Sequence, residues 1–174
     1  MTKLYRLTAM LAAVAVAAGA STALADPGNG NGNGNGNGNG NDVVLRSDVF
    51  GSQPPGTGPV LFGVPPGGAP WVIDKGTATV RSNGDVKASL RGLVIPTPPS
   101  NGTNPVKQIA ATVYCGGTAV GTTHAVPFST AGDAQIDETL ATPLPRPCLA
   151  PAVLFNPAAN DVVTTTNYIA ATGG

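Results

Sequence analysis

Along the chain, apolar residues come in short runs or alternate with polar ones, and no stretch holds a helical period over three turns. Strand-like runs are predicted at 43–50, 59–64, 71–73, 77–81, 85–90, 107–115, 119–128, 134–140, 152–155 and 162–170. Gly, Pro, Asn and Asp punctuate them at the spacing of sandwiches and barrels. The pattern predicts an all-β domain, a single antiparallel sandwich of immunoglobulin-like or other Greek-key type.

One hairpin can be taken to its register. Asn83-Gly84 suggests a two-residue turn, but that pairing sets Val80 against Lys87 and Arg81 against Val86. A half-buried sheet does not tolerate such mixing of faces. A three-residue loop, Ser82-Asn83-Gly84, places glycine at the left-handed third position. Val80 then meets Val86 and Ala78 meets Ala88 on the buried face, while Arg81 meets Asp85 and Thr79 meets Lys87 outside.

Ahead of the strands lies a segment of different character. Lys3 and Arg6 precede an apolar run from Leu7 to Ala20, and Ala23-Leu24-Ala25 has the small-x-small form that signal peptidase reads. The run is shorter than the roughly 20 residues that span a bilayer. The expected organisation is a signal peptide at 1–25, a linker at 26–41 and a β domain at 42–174. The linker is a Gly-Asn repeat from Gly28 to Asn41, which has nothing to bury and reads as a disordered tether. Calcium-binding glycine-rich repeats need regular Asp ligands, and this repeat has none. With no Cys at the cleavage point, no paired arginines and no apolar tail near Gly174, the expected product is secreted and extracellular, off the membrane once cleaved.

Cleavage also changes the charge. The full chain is formally neutral, but Lys3 and Arg6 leave with the signal, so seven basic residues face nine acidic ones. No basic cluster remains to displace phosphate counterions, which argues against nucleic acid as a partner. Cys115 and Cys148 are the only cysteines; an even pair in an exported chain predicts a disulfide. It would tie a strand end to the Pro-rich segment 143–151.

Catalytic patterns are sparse. The one histidine, His124, sits in the alternating run Val120, Thr122, His124, Val126, Phe128 and reads as a packed or half-exposed strand residue rather than a base. No G-x-S-x-G elbow surrounds a serine. Glu138 is the sole glutamate, and on a strand its neighbour Asp137 points the other way, a poor geometry for paired-carboxylate hydrolysis. An oxygen-only calcium site on Asp133 or Asp137 is open but not demanded by spacing. Asn101-Gly102-Thr103 matches a glycosylation sequon, a pattern frequent by chance. No metal or cofactor is implied.

Trp71, in Pro70-Trp71-Val72-Ile73-Asp74, reads first as a core residue of an apolar strand. The alternative is a sugar-stacking platform, assisted by Tyr114 or Tyr168.

The segments Pro70-Trp71-Val72-Ile73-Asp74-Lys75-Gly76, Gly92-Leu93-Val94-Ile95-Pro96, Val113-Tyr114-Cys115-Gly116-Gly117 and the stretch from Cys148 to Pro157 resemble those of small secreted actinobacterial proteins. The similarity runs from about Phe50 to the C-terminus and is most specific in the two Cys-containing segments. It implies a disulfide-linked β domain and carries over no catalytic residue. Two functions of different class follow as expectations. The first is a secreted non-enzymatic module contacting a protein or cell-surface polymer. The second is a small-ligand or glycan binder built on Trp71 and Tyr114.

Overall fold

The computed structural model describes residues 41–173, in which the chain forms ten strands and no helix. They are β1 (Val43–Gly51), β2 (Lys75–Arg81), β3 (Asp85–Arg91), β4 (Gln108–Cys115), β5 (Thr118–Thr122), β6 (Val126–Pro127), β7 (Ala134–Thr139), β8 (Ala152–Ala159), β9 (Val162–Val163) and β10 (Ala170–Thr172). The signal-peptide expectation, and the Gly-Asn linker up to residue 40, lie outside the described residues.

The β2–β3 hairpin has the expected register. Val80 faces Val86, Ala78 faces Ala88 and Thr79 faces Lys87, and Gly84 closes the loop at φ 95°. Only this pairing puts one apolar set on one face, so alternation fixes it. Asn83 Oδ1 accepts from the Asp85 N–H at 3.1 Å, and its Nδ2 donates to Asp85 Oδ2 at 2.9 Å.

Asp85 is also where β7 joins β3. The Thr139 hydroxyl donates to Asp85 Oδ1 at 2.6 Å and, with the Asn83 amide, holds this carboxyl below its ordinary 3.8. The folded pKa lies under the unfolded one, so the stabilisation is complete above 3.8 and is lost as pH falls through the folded value. Urea midpoints measured down that range should fall less steeply in Asp85→Asn than in the parent. Equal slopes would remove Asp85 from the acid response.

Where the sequence suggests a sandwich, hydrogen bonding instead runs through one sheet in the order β5-β4-β8-β10-β1-β2-β3-β7, with every named strand pair antiparallel. The sheet curls into a half-barrel. The turning element is β1: Val43 to Asp48 pairs with β2, then Val49 to Gly51 pairs with β10. A register shift between Val43 and Leu45 marks a bulge, the device by which strands bend.

The concave face holds the main core, with Val80, Val86, Leu90 and Ile136 on one side meeting Ile109, Val113, Val153 and Phe155 on the other. The two halves differ on the convex face. Over β2, β3 and β7 that face is polar and wet, which gives the clean alternation seen in their sequences. Over β4 and β8 it is covered, so β4 is buried along seven of its eight residues and reads as a continuous apolar run.

The cover is the segment from Ser52 to Gly68, pinned by its own hydrogen bonds. Gly67 N–H donates to the Tyr168 carbonyl at 2.7 Å, Tyr168 N–H to that of Pro65 at 3.2 Å, and the Tyr168 hydroxyl to that of Pro59 at 2.6 Å. The predicted strand at 59–64 is thus a tight turn. Leu61 and Val64 exchange backbone hydrogen bonds at 2.8 and 3.0 Å, with Phe62 and Gly63 at φ 52° and 79°. Its residues are apolar because they cap the sheet rather than extend it.

The predicted strand 119–128 is broken. Thr123 N–H still donates to the Ala111 carbonyl at 2.9 Å, but the Ala111 N–H is accepted by Thr123 Oγ1 at 3.0 Å in place of a backbone carbonyl, and there β5 separates from β6. The run 71–73 makes a single bridge, Val72 with Val94. The Cys115–Cys148 disulfide is formed, joining the end of β4 to the Pro-rich segment.

Candidate functional site

Trp71 lies in the core at 4% exposure, packed with the concave-face residues, so its ring has no open face for a sugar. The glycan platform centred on it is therefore not assembled at this residue. The core position read from its apolar context is the one observed. Tyr114 and Tyr168 sit on the opposite, convex side with Leu154, both buried. Burial raises both phenols above their ordinary 10.0. The three aromatics thus fall into two separate clusters. The exposed ring beside Tyr114 is Phe62, stacked on it with centroids 4.6 Å apart. The strand predicted over 59–64 gave no sign of this.

His124 is not on a strand. It lies between β5 and β6 with 95% of its side chain exposed, because the ladder stops at Thr123. Its backbone N–H donates to Glu138 Oε2 at 2.9 Å, and Nδ1 stands 3.1 Å from the same oxygen. This contact ties β7 to the β5–β6 connection, where the two free edges of the sheet approach without a backbone ladder. Asp137 points to the wet face and pairs with Lys87 at 2.8 Å. Asp133 and Asp137 are not brought together with further ligands: among the described residues, no three His, Cys, Asp or Glu converge.

The seam between β7 and β6 is closed at one end and open at the other. At the closed end, a Cβ on Gly121 would stand 3.1 Å from Leu140, and the Glu138 contact lies nearby. At the open end is a cleft of about 460 Å³. Leu90 and Arg91 of β3 and Ala134 and Gln135 of β7 form one lip; Lys107, Pro127 and Phe128 form the other. Ser129 and Asp133, in the loop that joins the lips, complete it.

Each polar group of the cleft has a traceable position. Arg91 ends β3, and Lys107 immediately precedes β4 with its carbonyl accepting the Phe128 N–H at 2.9 Å. Asp133 Oδ1 accepts the Gly92 N–H at 3.1 Å, and the Asp133 N–H donates to Ser129 Oγ at 3.0 Å. Gln135 Nε2 donates to Ser89 Oγ at 3.3 Å. Among the described residues the ion pairs are Lys87–Asp137 and His124–Glu138, so neither cleft cation is in one. Sequence reasoning missed this cleft, since Arg91 and Lys107 read as isolated surface charges until the sheet curls.

A second depression of about 720 Å³ lies beyond Lys107, between β4 and the β8–β9 turn. Two of its polar residues are paired with each other: Gln108 Nε2 donates to Asp161 Oδ1 at 2.7 Å, and Asp161 N–H to Gln108 Oε1 at 3.0 Å.

No protein-family model, curated protein or solved structure matches the chain.

Proposed function

We propose that this protein is a secreted, non-enzymatic module that works at the cell exterior by binding a protein or a cell-surface polymer. The observation that carries the reading is the chemistry of the cleft at the open end of the β6–β7 seam. Its cations are out of ion pairs, as a holding site requires, and its one carboxylate, Asp133, accepts the Gly92 N–H through Oδ1. The disulfide supports the location, because such bonds persist in oxidising compartments. The likeness of four segments to small secreted actinobacterial proteins points the same way.

The test is fractionation of a producing culture. The protein should be recovered from the medium with its N-terminus near Asp26, sediment with envelope material, and leave that material chemically unchanged. Release of soluble fragments that stops on substitution of a single residue would overturn the reading.

A further inference from the structure

The open end of the seam has features that surface charge alone does not explain. Lys75 and Arg91 stand directly opposite each other on β2 and β3, and like charges so placed destabilise a sheet. The hairpin keeps this arrangement at the end that leads into the cleft. There, Lys107 adds a second cation across the opening from Arg91, and both side chains are exposed at the rim. Between them the exposed apolar surface is that of Pro127, with Leu90 and Phe128 buried beneath it in the core. A cleft of about 460 Å³ falls within the roughly 300–1,000 Å³ of ligand sites, which favour barrel mouths.

We infer that this cleft binds a small acid: an anionic head, phosphate or carboxylate, held by Arg91 and Lys107, with its body laid against the exposed Pro127. The guanidinium supplies planar paired donors and the ammonium a point charge, which suits either head group. The inference rests on the binding-module reading and names its ligand chemistry.

The test is amide NMR on the isotopically labelled protein as recovered from culture, titrated with phenyl phosphate, phenylacetate and benzyl alcohol. The amides of Gly92, Phe128, Asp133 and Gln135 should shift and saturate with at least one acid and not with the neutral alcohol. Which acid does so identifies the head group. Raising salt should weaken the binding, because exposed charge pairs are screened. The double variant Arg91→Gln/Lys107→Gln should weaken it at least tenfold with its spectrum otherwise dispersed; removing the Lys75–Arg91 repulsion leaves folding unharmed. No saturable shift with either acid, an equal shift with the alcohol, or unchanged binding in the double variant would overturn the inference. If envelope binding survives that result, only the cleft assignment is lost. Phenol appearing in the phenyl phosphate sample would instead overturn the non-enzymatic reading.

Discussion

Phe155→Ala is expected to remove a large share of the protein's stability, about 3–5 kcal/mol on the scale of buried aromatic truncations. Phe155 is fully buried in the middle of β8. Its cross-strand neighbours are both small, Ala111 on β4 and Ala170 on β10, so the ring fills the space that two alanines leave. Neither neighbour can move in. β8 is laddered on both sides, and the Phe155 carbonyl also accepts the Ile169 N–H at 2.9 Å. A cavity that cannot collapse keeps its full cost. Against a typical total of about 5–15 kcal/mol, the urea midpoint should drop sharply with the slope unchanged. Phe155→Leu, which retains most of the volume, should lose much less. If the alanine variant cost under about 1 kcal/mol, the site would be collapsible and the two-sided support of β8 would not matter.

How much of this was legible depends on whether a residue's partner is local. The β2–β3 register could be read because both strands lie in one window and only one pairing segregates Val80, Val86, Ala78 and Ala88 from Thr79 and Lys87. The same reasoning failed at Asn156. That residue looks like a strand end, yet β8 continues through it to Ala159. Its amide is fully buried: Oδ1 accepts the Thr112 hydroxyl at 2.7 Å and Nδ2 donates to the Asn167 carbonyl at 2.7 Å. A buried amide is tolerable only when so satisfied, and both partners are remote in sequence.

The segment 59–64 misled for a related reason. Of its apolar side chains, Leu61 and Val64 pack on the convex-face cluster while Val60 and Phe62 are exposed, so the run covers the sheet through two residues and does not join the ladder. The candidate site shows the sharpest limit. Its two cations come from the end of β3 and the start of β4, strands that are not neighbours in the sheet. Curvature alone brings their ends to one opening, and curvature is set by the β1 bulge and the change of partner at Val49. No local pattern in the sequence encodes that.

Replacing both cysteines, Cys115→Ala with Cys148→Ala, is expected to cost about 2–5 kcal/mol. The bridge closes a sequence separation of 33 residues, and a loop of that length frees substantial chain entropy in the unfolded state when it is cut. The native side of the balance also shifts. Four of the nine residues from 143 to 151 are proline, so this stretch lacks the donors to join a ladder. Besides the disulfide, it is held by the buried Leu144, whose N–H donates to the Ser82 carbonyl at 3.2 Å, by the Arg146 guanidinium donating to Ser82 Oγ at 3.4 Å, and by the Gly116 N–H bonded to the Leu149 carbonyl at 2.6 Å. Loosening it uncovers the end of β4, where Tyr114 and the capping turn meet. The double variant should therefore lose amide-exchange protection at 113–116 beyond what its global destabilisation accounts for. Reductant added to the parent protein should reproduce both effects. A midpoint that barely moves under reduction, with 113–116 still protected, would mean that the non-covalent contacts of Leu144 and Leu149 dock the segment without the bridge.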